Sequence, residues 1–292
     1  MPYAPRHKSS CCSLGCLSRL LMLILLLTVL VWPFAEPFML QTETTSLQSA
    51  DLPQDVGQLR IVYLTDIHYG SFYSLGRVKE LVSRVNALNP DLILLGGDYA
   101  NDSDGAIQFF KDAPSFHARY AVCGVVGNHD RTEPESNLSQ LKSAMFAAGV
   151  TPLVNEVIQV RIGSSGVYVA GIDDVNNGWP NLDGVASQVR QEDYVIFLSH
   201  SPAVIPDALN ATGADGRKNW FDLGLYGHTH GGQVAFLGQL LGISDIPARY
   251  EHGWFQENRI DMLVSNGVGT SILPIRVFRR PQIHLITVKT AK

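Results

Sequence analysis

Cysteine is scarce in this chain. Of 292 residues four are cysteines, and Cys11, Cys12 and Cys16 lie near the N-terminus. Only Cys123 falls in the body, so no internal disulfide braces it; its place in the apolar run 120–126 reads as a small core residue. There is no long repeat and no low-complexity tract, which argues against a solenoid and against disorder beyond the N-terminal fifth. Charge is also sparse, at 17% of residues, while 46% are hydrophobic, enough for one sizeable core. The formal net charge is −5; residues 1–40 carry Arg6, Lys8 and Arg19 against Glu36, a net +2, which leaves −7 for the rest. A body of that sign does not attract nucleic acid through its overall field, and none is expected as a partner. It does suit carboxylates that bind cations.

Charge is missing altogether from residues 20–35, LLMLILLLTVLVWPFA. The run is longer than the roughly 7–15 residues of a signal-peptide core and shorter than the roughly 20 of a full span. Continuing through Pro37, Phe38, Met39 and Leu40 lengthens it, with Glu36 near the interface. No convincing small-x-small cleavage site follows. The favoured reading is an uncleaved signal anchor, with a cleaved signal peptide and a buried core helix as alternatives. The expected division is a cytoplasmic tail at 1–19, a transmembrane signal anchor at 20–40, a polar linker at 41–57 and the functional body at 58–292. The basic flank stays in the cytoplasm, so the body of this single-pass cell-membrane protein is expected on the other side. N-x-S/T strings at Asn101, Asn137 and Asn210 matter only in a host that glycosylates.

From residue 58 onward one pattern recurs: a short apolar run ends abruptly in Asp, His or Asn. The runs are 59–68, 91–98, 120–130, 193–200 and 221–230. Their unbroken apolarity suits strands buried on both faces. Residues 76–88 place apolar side chains at 78, 81, 82, 85 and 88, one face of a helix that Asn89-Pro90 stops. Residues 135–148, closed by Gly149, and 202–209, opened by Ser201-Pro202, are further helices. Residues 153–172 read as a hairpin around a GSSG turn, and 259–288 carry more strands. The alternation predicts an α/β fold: a two-layer mixed sheet with helices outside. Its polar residues gather at the carboxyl ends of the strands, where ligands bind open α/β sheets.

The polar set is Asp66, His68, Asp98, Asn128, His129, His200, His228 and His230. Singly, each could be a turn or a capping residue. Together, each at a strand end, they read as a metal site, and mixed carboxylate and imidazole donors suit Mn, Fe or Zn.

The series Asp66-Ile67-His68, Gly97-Asp98, Gly127-Asn128-His129-Asp130, His200 and Gly227-His228-Thr229-His230 resembles that of the calcineurin-like metallophosphoesterases. The likeness covers about residues 58–290. The strings 227–233 (GHTHGGQ) and 265–276 (SNGVGTSILPIR) are similar to a bacterial branch of membrane-anchored phosphodiesterases. The resemblance implies two transition-metal ions: one on Asp66, His68 and His230, the other on Asn128, His200 and His228, with Asp98 bridging. It implies hydrolysis of phosphodiester or pyrophosphate bonds by in-line attack of a metal-bridging hydroxide, with His129 assisting the leaving oxygen. Lipid-linked substrates fit an anchored domain that faces headgroups. One position departs from the family pattern. The family's G-D-x-x-D, whose last Asp orients the catalytic His, reads here Gly97-Asp98-Tyr99-Ala100-Asn101, with Asp102 or Asp130 as the nearby carboxylates that could compensate.

Arg276 and Thr270 are weaker candidates for phosphate contact. His7, His117, His252 and His284 read as surface residues. The alternative function is a catalytically inactive metal-binding scaffold for protein partners, which should have lost ligands or His129; a purely structural metal site is the weaker rival.

Overall fold

The computed structural model describes residues 12–132, 135–235 and 246–291, so Arg6, His7, Lys8 and Cys11 of the expected tail lie outside the described residues. In chain order, α1 (Cys12–Ala35) leads into β1 (Gln41–Ser49) and β2 (Gln58–Leu64). Then follow α2 (Leu75–Ala87), β3 (Leu92–Leu95), α3 (Ser103–Asp112), β4 (Ala121–Gly124), α4 (Glu135–Ala147) and β5 (Thr151–Pro152). The second half holds β6 (Glu156–Ile162), β7 (Ser165–Gly171), α5 (Leu182–Ala186), β8 (Val195–Leu198), α6 (Ile205–Asn210), β9 (Leu223–Tyr226), β10 (Gly253–Glu257), β11 (Ile260–Val264) and β12 (Gln282–Thr290).

The strands form two six-stranded mixed sheets, ordered β1-β12-β2-β3-β4-β5 and β10-β11-β9-β8-β7-β6. Alternation along each strand explains the layering. In β2, Ile61 and Tyr63 point inward and join Leu92, Leu94, Val169, Ile196 and Leu225 between the sheets. Val62 and Leu64 point outward and pack under α2, α3 and α4, against residues such as Leu81, Phe109 and Leu141. α5 and α6 cover the other sheet over Phe197 and Tyr226. Both faces of the central strands are thus covered, which is why their sequences are apolar without a break. β2, β3 and β4 run parallel, as do β7, β8 and β9, so each sheet presents a row of carboxyl ends at one edge.

Helix α3 had no sequence expectation. Asp102 caps it, accepting from Gly105 N at 2.7 Å, and its apolar stripe of Ala106, Ile107, Phe109 and Phe110 is buried. The expected 202–209 helix opens with a 3-10 turn at Pro202–Val204 before α6.

Two expectations need correction. Residues 41–57 are not simply a linker, because β1 pairs in parallel with β12 along its full length, from Gln41↔Gln282 to Ser49↔Thr290. The segment QTETTSLQS is polar because it is an edge strand with much of its surface in water; its threonines suit the pleat. His284 is not a surface residue. It is buried in β12 with Nε2 2.9 Å from Ser265 Oγ, and burial pushes its imidazole down to about 3. His117 and His252 are exposed as expected.

β1 covers the hydrogen-bonding edge of β12, so a chain cut at residue 52 should be less stable than one cut at residue 41. The cost should lower Tm by about 5 °C or more, the shift expected for roughly 2 kcal/mol in a domain of this size. Calorimetry on both truncated chains decides; equal Tm values would show that β1 adds nothing.

Candidate active site at the paired strand ends

Each expected site residue lies within five positions of the end of its strand, and the loops are unusually tight. Asp66, His68, Asp98, His228 and His230 all have left-handed backbones, with φ between 49° and 70°. Such a cluster of non-glycine outliers persists only where the surroundings hold it, and it is a feature of functional sites. Glycine is required beside these residues for a different reason, close approach. A Cβ on Gly127 would overlap Asp98 Oδ1, and one on Gly227 would overlap Asp66 Oδ2. The G-N-H-D and G-H-T-H strings therefore use glycine to bring one loop's backbone against the neighbouring loop's carboxylate.

The two sheet edges meet around Asp66 and Asp98, both buried. His200 Nε2 is 3.2 Å from Asp98 Oδ2 and 4.0 Å from Asp66 Oδ1. His68 Nε2 is 3.6 Å from Asp98 Oδ2, and His230 Nε2 is 3.5 Å from Asp66 Oδ1. His228 Nδ1 lies 2.8 Å from Asn128 Oδ1, and its backbone N donates to Asp66. Seven of the eight expected residues are thus brought together, and His129 joins them through its backbone N on Asp98.

Backbone and amide groups orient the imidazoles. His68 Nδ1 is 2.8 Å from Asn101 Oδ1 and His200 Nδ1 is 2.8 Å from Gly96 O, which assigns a proton to Nδ1 in each, turns both Nε2 atoms toward the centre and leaves the Nε2 lone pair of His68 facing it. His200 Nε2 is buried without a hydrogen-bond partner, and the Nε2 atoms of His68 and His230 face each other at 3.1 Å. Inward lone pairs beside two carboxylates are a donor set that fits metal ions. Among the described residues, three groups have donor atoms within 4.8 Å of one another: Asp66, His68 and His230; His68, Asp98 and His129; and Asp98, His200 and His228.

Titration follows the burial. Desolvation pushes His68 and His228 down to about 4, and His230 well below its ordinary value, so these rings are neutral at pH 7. Burial raises Asp66 to about 6, with the charge of Asp98 adding to the rise and His200 opposing it. For Asp98, burial is the largest single influence and acts upward, but the summed attraction of the surrounding histidines, led by His200, outweighs it and holds the carboxyl well below its usual range. His200 is the counterpart: burial lowers it, yet Asp98 and Asp66 keep it protonated far above the ordinary imidazole range. That proton is the positive charge that the two carboxylates require.

His129 is half-exposed. Its backbone N donates to Asp98 Oδ1 at 3.0 Å and its Nδ1 is 3.0 Å from Asn101 O. The expected loss of an orienting Asp at 101 is therefore resolved differently. Asn101 gives its side chain to His68, and its backbone carbonyl holds His129. Neither nearby carboxylate substitutes: Asp102 caps α3, and Asp130 accepts from Asp98 N, Gly127 N and Tyr99 N at 2.8, 2.8 and 3.0 Å. Arg276 does not reach substrate either. It is fully buried behind His230, with its guanidinium hydrogen-bonded to Gly269 O, Asn266 O and Arg279 O. Thr270 is buried too.

A cavity of about 340 Å³ opens over the site. Asp98, Asn128, His129, His228 and His230 form its polar side, and Val234, Ile272, Leu273 and Ile275 its apolar side. Sequence reasoning missed this apolar wall. It also missed Gln233, which accepts from Ser271 N and donates to Ser271 O and Leu273 O and so fixes the wall. The signal was the Gln that ends GHTHGGQ.

Fold and site together define a metallophosphoesterase. A family profile described as calcineurin-like phosphoesterase matches residues 59–232, and the chain belongs to that family of phosphoric ester hydrolases. It is 28% identical over 264 residues to the uncharacterized metallophosphoesterase YkuE of Bacillus subtilis, covering 88% of each chain. It is 26% identical over 275 residues to an uncharacterized metallophosphoesterase of Aquifex aeolicus, covering 87% of this chain and 94% of that one. A zebrafish (Danio rerio) transmembrane protein with metallophosphoesterase domain is 27% identical over 255 residues, spanning 82% of this chain and 55% of that one. The chain has a helix, Gly15–Phe38, long and apolar enough to cross a membrane. With relatives that are named transmembrane proteins, it points to a membrane protein.

Asp130 is the acceptor that ties the β3 and β4 loops together. Asp130→Ala strands three buried N–H groups and should cost about 3 kcal/mol or more of stability. Asp130→Asn keeps an acceptor oxygen and should lose less. Denaturant titration of the two variants checks the order; equal losses would contradict it.

Proposed function

We propose that the chain hydrolyses phosphodiester or pyrophosphate bonds at a two-metal centre. The observation that carries this reading is that Asp98 belongs to two metal-competent groups, one with His68 and His129 and one with His200 and His228, while His68 also joins Asp66 and His230 in a third. Asp66, His68 and His230 would hold one ion and Asn128, His200 and His228 the other, with Asp98 shared. Mixed oxygen and imidazole donors suit Mn, Fe or Zn. When bound, such ions supply Lewis acidity and make water acidic enough to attack near neutral pH.

The protein's own groups do the rest. The neutral rings of His68, His228 and His230 are ready as donors without losing a proton. His129 lines the cavity with Nδ1 held by Asn101 O, which leaves Nε2 to serve the leaving oxygen. The wall of Val234, Ile272, Leu273 and Ile275 favours a substrate with an apolar part beside its phosphate, such as a lipid-linked phosphoester or pyrophosphate. In this reading α1 serves as an uncleaved anchor, and the basic residues before it favour a body on the non-cytoplasmic side of the cell membrane.

Asp98 and His129 should fail in different ways. Asp98→Asn should lose metal and activity together. His129→Ala should keep metal near the wild-type content and lower the turnover rate about 10²–10⁴-fold, the range of a general acid–base group. The loss should be smaller on nitrophenyl esters, whose leaving group needs little protonation, than on alkyl esters. Elemental analysis beside kinetics decides; metal loss in His129→Ala would make that residue a ligand.

A further inference from the structure

Helix α1 does not end in a free tether. Its last turn is locked to the loop that walls the cavity. Glu36 is fully buried and accepts from Trp32 Nε1 at 2.7 Å, Phe278 N at 2.9 Å and Arg279 N at 2.7 Å. Arg276 N donates to Pro33 O at 2.9 Å. Pro33 lies in the final turn of α1 and Glu36 opens the 3-10 turn Glu36–Phe38 that follows it, so residues 276–279 cross the chain where the helix ends. Arg77 Nη2 and Arg84 Nη1 bond the carbonyls of Pro37 and Leu40 just beyond.

The same loop exposes large apolar side chains. Ile272 is 82% exposed, Leu273 52% and Phe278 67%, and Phe38 at the end of the span is 69% exposed. Ile272 and Phe278 are also held at φ 61° and 55°, left-handed conformations that disfavour an isoleucine most of all. The conformation of an exposed, β-branched residue is thus fixed by its surroundings, while the described residues leave most of its side chain uncovered. On its inner side the loop contributes Ile272, Leu273 and Ile275 to the cavity. Arg280 is exposed beside it, with its guanidinium 6.0 Å from the Trp32 ring, a tryptophan placed where such residues mark a membrane interface.

We propose that this loop is a second membrane contact: Ile272, Leu273 and Phe278, with Phe38, enter the headgroup–acyl boundary of the bilayer that α1 spans. The inference rests on the reading of α1 as a membrane span. The occupant is that leaflet because the loop is hydrogen-bonded to the last turn of the span and so shares its depth. Arg279 and Arg280 flank the apolar tip and suit headgroup phosphates. The cavity then opens onto the membrane surface, and a headgroup phosphate reaches His129 and His228 without its lipid leaving the leaflet.

The test uses the full chain in phospholipid vesicles, with Cys11, Cys12 and Cys16 replaced by serine. Cys123 stays, because it is buried and its thiol is pushed up to about 12. Single cysteines replace Leu26, Ile272, Phe278 or Lys218, the last at the opposite end of β9, and carry an environment-sensitive fluorophore. In vesicles with brominated acyl chains, the labels at 26, 272 and 278 should lose most of their emission and the label at 218 should keep it. If 26 is quenched while 272 and 278 behave like 218, the loop contact is overturned and the anchor stands. If 26 also behaves like 218, both are overturned.

Discussion

Two buried carboxylates with no room to share one space unaided set the terms for this structure. Asp66 and Asp98 sit at the junction of two sheets, and their ion-pair partners are histidines. Burying a charge is costly unless positive charge is supplied beside it. In the metal-free chain His200 supplies it by keeping a proton against the push of burial. Metal ions would supply more, at the place where lone pairs already converge. The strained loops make sense on the same ground: five left-handed non-glycine residues are tolerable where they aim donors at a common centre.

That constraint explains the architecture around it. The donors are far apart in sequence, and only parallel strands in two facing sheets deliver their carboxyl ends to one edge. The apolar layer between the sheets fixes their separation, and Gly127 and Gly227 let the loops close on the carboxylates. Asp130 and Gly96 O then hold the loops and rings in place from behind. Arg276 links this centre to the N-terminal helix, with its guanidinium 3.4 Å from His230 Nδ1 and its backbone N on Pro33 O.

Much of this was legible in the sequence because doubly buried strands are continuously apolar and end sharply. The runs leading to Asp66, Asp98, Asn128, His200 and His228 announced both the sheets and the site edge. What was not legible came from pairing and from burial of polar groups. The strand at 41–49 looked like a linker because an edge strand can be polar, and its partner lies some 240 positions away. His284 and Glu36 gave no sign of burial, since their partners Ser265, Phe278 and Arg279 are fixed only by the fold. The role of Asn101 divided between side chain and carbonyl in a way no residue identity encodes.

The proposed chemistry requires Asp98 to lie between two metal ions. Elemental analysis and electron paramagnetic resonance of the metal-free protein reloaded with Mn(II) test it most directly. The account predicts two ions per chain whose spectrum is that of an exchange-coupled pair, as expected for ions about 3.5–4 Å apart. A single ion per chain, or two with the spectrum of isolated Mn(II), would contradict it.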